Sequence, residues 1–235
     1  MILVCAATGM EMDACLKAAG IRFAELTPTV DRPWVRTRGG ITFAVTGAGI
    51  PMTMARLLPL ASQAKPGLIV NAGIAGAYPG SGFNLGDVVA GQSESFGDLG
   101  AETPEDAAFL PLASFPWADE EYRKPLPLAL EPLRLGTEGG AGDLRPARGC
   151  TVNACTGTEA TGRLRRTLFG ADFETMEGAA VAWIGRELGI PVCEVRAISN
   201  FASTRDFRPE NAKAALGNLG VYMGRWLERR PERNA

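Results

Sequence analysis

Ile41-Thr42-Phe43-Ala44-Val45-Thr46-Gly47-Ala48-Gly49, followed at once by Ile50-Pro51-Met52, is the stretch on which the fold turns. A short apolar run breaks at small residues, and a helical pattern then runs from Pro51 to Gln63. Proline suits the first helical turn, where no amide donor is needed. The same unit recurs outward from it. Ile2–Ala7 is an apolar run with a helical pattern at Met10–Ala19 behind it, and Gly67–Val70 runs into Asn71-Ala72-Gly73. Asp87–Ala90 is a further short strand. Met176–Leu188 is an apolar helix closed by Gly189, Val192–Ile198 a strand, and Pro209–Leu227 a long final helix. Unbroken apolar strands alternating with helices suit a sheet covered on both faces. The expectation is an α/β fold: a single domain over residues 1–235, with a central mixed, mainly parallel twisted sheet flanked by helices. Residues 103–149, rich in Pro and Gly and most broken from 132 onward, read as a loop-rich insertion before a strand at Cys150–Ala154.

Composition narrows the chemistry. The 235 residues carry a formal net charge of −2, which speaks against a nucleic-acid partner. The basic runs Arg163–Arg165–Arg166 and Arg229–Arg230 read as a solvated helix face and a chain terminus. Five cysteines, an odd number without CxxC spacing, predict neither a disulfide framework nor a zinc site, and a cytoplasmic setting is expected. The run Ile2-Leu3-Val4-Cys5 is too short for a signal peptide and lacks a basic flank. No stretch has the apolar length of a membrane span. There is no histidine, which removes histidine-based triads, bases and metal sites. No metal and no cofactor is expected. Carboxylates, Arg, Asn, hydroxyls and backbone dipoles are left to do any chemistry.

In open α/β sheets, ligands sit at the carboxyl ends of strands. Four segments follow such ends. Ala7-Thr8-Gly9-Met10-Glu11-Met12-Asp13 puts two acids in a first helical turn, where the helix dipole alone would favour them. Asn71-Ala72-Gly73-Ile74-Ala75-Gly76-Ala77 lets a backbone approach a ligand closely, and equally reads as a tight strand-to-helix turn. Phe173-Glu174-Thr175-Met176-Glu177-Gly178-Ala179-Ala180 brings Glu174 and Glu177 to the start of an otherwise apolar helix. Val195-Arg196-Ala197-Ile198-Ser199-Asn200 interrupts an apolar strand with an arginine, which must find a carboxylate or a ligand.

Taken in order, these segments resemble the purine nucleoside phosphorylase/nucleosidase superfamily, closely its methylthioadenosine/S-adenosylhomocysteine nucleosidase branch. That branch carries an acidic cluster after strand one, an NxGxAG loop, MEG or MEA, and RAISD. Here the last motif ends in Asn200. The loop Thr151-Val152-Asn153-Ala154-Cys155-Thr156-Gly157-Thr158 lacks the aromatic that stacks on adenine in that branch. With Asp98-Leu99-Gly100-Ala101-Glu102, these departures look like the futalosine hydrolase branch, which acts in the menaquinone pathway and releases hypoxanthine from futalosine.

The resemblance implies a hydrolase acting on the N-glycosidic bond of a purine nucleoside, with homo-oligomeric relatives (dimer or tetramer). It implies that Glu177 accepts hydrogen bonds from the ribose diol, with Met176 packing beneath the sugar. Asp13 would activate water, with Glu11 in reserve. Arg196 would orient that water or pair with the carboxylate, and Ser199 would position the base loop. Gly73, Ile74, Thr156 and Thr158 complete the substrate-binding set. Asn200 cannot protonate adenine N7 as an Asp can. It can donate to N7 or O6 of a 6-oxopurine, and can also pair with adenine N6/N7. Phosphorolysis needs cations around a dianion, and the acidic first loop disfavours it. Other readings are a related purine nucleosidase or phosphorylase, or a non-catalytic nucleoside-binding protein.

Overall fold

The computed structural model describes residues 1–29, 31–103, 109–117, 128–131, 144–204 and 207–229. Most of the loop-rich insertion expected at 103–149 therefore lies outside the described residues. No helix among the described residues is long and apolar enough to cross a membrane.

Among the described residues, twelve strands are numbered in chain order. They are β1 (Ile2–Ala6), β2 (Thr27–Thr29), β3 (Arg32–Arg38), β4 (Ile41–Val45), β5 (Leu68–Ala77) and β6 (Val88–Phe96). Then come β7 (Gly100–Glu102), β8 (Phe109–Pro111), β9 (Leu128–Ala129), β10 (Arg145–Thr151), β11 (Phe173–Thr175) and β12 (Val192–Phe201). The helices are α1 (Gly9–Lys17), α2 (Ile50–Ala64), α3 (Glu159–Phe169), α4 (Gly178–Leu188) and α5 (Pro209–Glu228). One ten-stranded sheet runs β11-β10-β6-β12-β5-β1-β4-β3-β2, with β9 beside β6. Its centre, β4-β1-β5-β12, is parallel throughout. Antiparallel pairings join β12 to β6, β3 to β4 and β2 to β3. The sheet is thus mixed around a parallel core, as the sequence predicts.

The apolar strand runs have a simple cause. Side chains alternate across a strand, so burying both faces demands apolar residues at every position. Val4, Val70 and Val195 face one layer, where α1 and α5 supply Met12, Leu16, Leu219, Met223 and Trp226. Leu3, Cys5 and Ile69 face the other, where α2 and α4 supply Leu57, Leu60, Val181 and Ile184.

Helix ends follow local chemistry. Thr8 caps α1 in a reciprocal box with Glu11. Gly170 and Gly189 close α3 and α4 in the left-handed region that glycine enters at no steric cost.

Two boundaries differ from expectation in ways that matter for the site. Asn71–Ala77 is not a strand-to-helix turn. It is the second half of β5, paired with β12 along one edge and with β1 and then β11 along the other. Its small residues serve close approach instead: a Cβ on Gly73 would collide with Arg196 and Glu11, and one on Gly76 would stand 2.9 Å from the Asn200 amide nitrogen. The strand expected at Cys150–Ala154 runs instead from Arg145 to Thr151. In β12 the register with β5 shifts between Ile198 and Asn200, which re-aims Ser199 and Asn200 at the strand's end.

Candidate active site

The carboxyl ends of β1, β5, β11 and β12 meet at one edge of the sheet, around a cavity of about 340 Å³. Thr8, Glu11, Ile74, Thr156, Glu174, Met176, Glu177, Ser199 and Asn200 all line it. Met10, Phe207 and Leu216 form an apolar side to the same cavity.

Glu11 is held from two directions. The Thr8 amide and hydroxyl donate to its Oε2 at 3.0 and 2.8 Å, and the Ile74 amide donates to Oε1 at 3.0 Å. The capping box therefore does more than end a helix. It turns a buried carboxylate back toward the end of β1, against β5. Asp13 does not reach the cavity, contrary to the water-activating role expected for it. Two residues along a helix is about 200° of rotation, so Asp13 points away from the face that carries Glu11. It is exposed and accepts the Phe23 amide at 2.7 Å.

Glu177 precedes α4, and its Oε1 accepts the Gly49 amide at 2.9 Å. The Gly47-Ala48-Gly49 turn after β4 is thereby tied to the site. Burial pushes the Glu177 carboxyl above the usual carboxylate range, while the Arg196 charge opposes the rise. Arg196 is buried and lies behind the cavity wall, beside Gly73. Its Nε donates to Glu194 Oε1 at 2.8 Å, and its Nη1 stands 3.8 Å from Glu177 Oε2. Although burial works against the charge, Glu194, Glu177 and Glu11 together hold the guanidinium protonated.

At the far side, Glu174 Oε1 accepts the Thr156 amide at 2.8 Å. Its Oε2 accepts from the Thr156 hydroxyl, from Tyr78 at 3.0 Å and from Arg165 at 3.0 Å. This fixes the loop after β10. Ser199 Oγ lies 2.9 Å from Asn200 Oδ1, within donating distance, and the Asn200 amide donates to Phe201 O at 3.2 Å. The oxygen end of Asn200 is thus engaged by Ser199, and its nitrogen, which gives one hydrogen to Phe201 O, keeps the other to donate.

The expected residues Met176, Glu177, Ser199, Ile74, Thr156 and Asn200 come together here. Gly73 sits just behind, as the gap through which Arg196 and Glu11 approach each other. Thr158 does not join them: its hydroxyl caps α3 by accepting the Thr161 amide. The sequence reading did not assign Glu194, which shares a strand face with Arg196 at i, i+2 spacing, nor Glu94. Glu94 is buried and accepts from Thr151 and Thr175, and burial followed by the Glu194 charge pushes its carboxyl well above the usual range.

No Lys or Arg is among the described residues lining the cavity, whereas three carboxylates are. Glu174 is already paired with Arg165, so Glu11 and Glu177, with Arg196 behind them, set the field on a ligand, and that field favours growing positive charge over a phosphate dianion.

Comparison with known proteins agrees with the geometry. The family model described as Phosphorylase superfamily matches residues 2–220. The futalosine hydrolase of Streptomyces coelicolor is 32% identical over 241 residues, covering 96% of this chain and 97% of that protein. That of Thermus thermophilus is 33% identical over 208 residues, covering 87% and 89%. Among solved structures, a Streptococcus pneumoniae MTA/SAH nucleosidase in complex with 8-aminoadenine superposes with a TM-score of 0.76 at 18% identity, covering 97% of this chain and 99% of that one. A futalosine hydrolase mutant of Helicobacter pylori gives 0.69 at 17% identity, covering 97% and 96%. By its extended match to the family model and its similarity to curated relatives along nearly its whole length, the chain belongs to the phosphorylase superfamily and, within it, to the futalosine hydrolases.

Proposed function

We propose that this chain hydrolyses the N-glycosidic bond of futalosine, releasing hypoxanthine and dehypoxanthine futalosine, as a soluble cytoplasmic step of menaquinone biosynthesis. The observation that carries the chemistry is the pair Glu11 and Glu177 on a cavity wall that has no lining Lys or Arg among the described residues, while the third carboxylate, Glu174, is taken up by Arg165. N-glycosides cleave through an oxocarbenium-like transition state, which that wall stabilises as positive charge grows on the ribose. The same carboxylates favour water over a phosphate dianion as the nucleophile.

In this reading Glu11, not Asp13, takes the proton of the attacking water. Its support is its place on the cavity wall and its anchoring at both oxygens. Glu177 accepts the ribose diol with Met176 beneath the sugar, and Arg196 acts from behind on both carboxylates. Asn200, steadied by Ser199, donates to N7 or O6 of the departing base, where hypoxanthine gathers negative charge. The apolar side formed by Met10, Phe207 and Leu216 is assigned to the part of the ligand beyond the ribose. A homo-oligomer is part of the same reading, supported by the exposure of Met10 and Phe207 at the cavity mouth.

The test is a panel of futalosine, inosine, methylthioadenosine and S-adenosylhomocysteine, each with and without phosphate. Hypoxanthine release from futalosine, unchanged by phosphate, is expected. A ribose 1-phosphate product would overturn hydrolysis, and preference for an adenine nucleoside would overturn the substrate.

A further inference from the structure

Arg196 has more carboxylates around it than neutralisation requires. Glu177 already stands 3.8 Å from its Nη1 and Glu11 approaches the same end across Gly73, yet Glu194 takes its Nε from the sheet interior at 2.8 Å. Glu194 is itself buried and held by the Asn71 side-chain amide, which donates to the same Oε1 at 3.1 Å. Side chains two apart on a strand share a face, so Glu194 and Arg196 lie together on β12 by construction. Burying an extra carboxylate is costly, and a second one, Glu94, stands against it across Gly178. The consequence of this arrangement is a distance. With its Nε engaged by Glu194 and its Nη1 donating to Ile74 O at 3.5 Å, the guanidinium sits 3.8 Å from Glu177 Oε2, beyond hydrogen-bond reach. Arginine otherwise favours a two-pronged bond with a carboxylate, which would occupy both Glu177 oxygens.

We propose that Glu194 is a positioning residue: by engaging Arg196 from behind, it keeps the guanidinium from closing onto Glu177, so that Glu177 Oε2 remains free to accept from the sugar while Oε1 holds the Gly49 amide. The inference rests on the assignment of Glu177 to the ribose diol. Glu194 touches no substrate; it acts through Arg196.

The groups facing Glu177 give the sign of the expected effect. They are Glu11 from α1, the Gly49 amide at the start of α2, Arg196 and Glu194 from β12, and the Cys5 thiol from β1. The Glu194 charge raises the Glu177 carboxyl and Arg196 lowers it. Replacing Glu194 by Gln removes the first influence and strengthens the second, so both changes move Glu177 downward. The Glu194 charge is the smallest of these influences, so the shift comes chiefly from Arg196: closing its 3.8 Å gap to hydrogen-bond distance is worth roughly one pH unit at an effective dielectric of about 20.

The experiment compares wild type with Glu194→Gln, with Glu94→Gln/Glu194→Gln, in which Glu94 cannot ionise in place of Glu194, and with Glu194→Asp. Two readouts are taken: kcat/KM for futalosine against pH, and the titration of the Glu177 carboxyl by carbon-13 NMR without substrate. The expected result for both Gln variants is an acid limb and a Glu177 titration displaced downward by about one unit, with kcat/KM lowered about tenfold at the plateau. Glu194→Asp retains the charge and should keep both near wild type, which also decides the matter if the Gln variants do not fold. A Glu177 titration unmoved in the folded Gln variants, or moved as far in Glu194→Asp, would overturn the proposal. A merely structural role would lower Tm, move the titration only by the small loss of the Glu194 charge, and leave plateau kcat/KM near wild type in the folded variants. A wild-type enzyme that does not cleave futalosine would instead refute the substrate reading, and the NMR titration would still decide the role of Glu194.

Discussion

Replacing Glu11 by Gln and, separately, Asp13 by Asn sets the two acids of the first helical turn against each other. Glu11 accepts at both oxygens: Thr8 donates to Oε2, and the Ile74 amide to Oε1. A glutamine has only one acceptor end, so its NH2 must face one of these donors. The unpaired buried group costs about 1–3 kcal/mol of stability. Loss of a general base costs a further ~10²–10⁴-fold in rate, about 3–5 kcal/mol of barrier. Asp13 is exposed and accepts the Phe23 amide. An asparagine oxygen can accept that bond, so Asp13→Asn should lower stability by less than ~1 kcal/mol and leave kcat within about twofold of wild type. Hypoxanthine release from futalosine is followed under single-turnover conditions, where product release does not intrude, alongside Tm for each variant. A hundredfold loss in Asp13→Asn with near-normal turnover in Glu11→Gln would refute the reasoning, because it would place the base on the helix face turned away from the cavity.

Asn200→Asp should lower kcat/KM for futalosine relative to its 6-amino analogue at least several-fold, since a missing or reversed hydrogen bond is worth about 1–3 kcal/mol; an unchanged ratio across pH would show that Asn200 does not touch the base. Gly73→Ala should reduce activity more than stability, because the added Cβ collides with Arg196 and Glu11 together; a variant with full turnover would show that their approach across Gly73 is unimportant. Glu94→Gln should flatten the dependence of Tm on pH. The Glu94 carboxyl is held well above its ordinary value of 4.5, so the folded chain keeps a proton that the unfolded chain has lost. Its contribution is full below that ordinary value and is lost as pH rises toward the folded one, and the amide removes this slope. Equal slopes for wild type and variant would argue that Glu94 ionises normally in the fold.

The parallel centre of the sheet is legible in the sequence because its cause is local. A strand buried on both faces must be apolar at successive positions, and Ile2–Ala6 and Ile41–Val45 declare themselves that way. Asn71–Ala77 does not, because small residues serve a turn and a crowded strand equally well. What makes it a strand is pairing along both edges with β1, β11 and β12, which is distant in sequence. Glu94 is hidden for a similar reason. Its partners come from β10 and β11, and no spacing along the chain shows that Thr151 and Thr175 will meet it.

The choice between Glu11 and Asp13 is a different case, because the information is local and present. Thr8 and Glu11 stand at the spacing of a capping box, in which the acid folds back onto the residue before the helix. Here that residue, Thr8, follows the end of β1 at Ala6 by two positions, and ligands bind at the carboxyl ends of such strands. A capping-box acid after the first strand is therefore carried toward the binding edge by the very contact that caps the helix. An acid two residues further on is rotated about 200° away, toward whatever follows the helix. Here that is the Phe23 amide. Structural and functional readings of Glu11 are accordingly not alternatives: the cap is the device that aims the carboxylate, and Thr8→Ala should impair hydrolysis as well as helix stability.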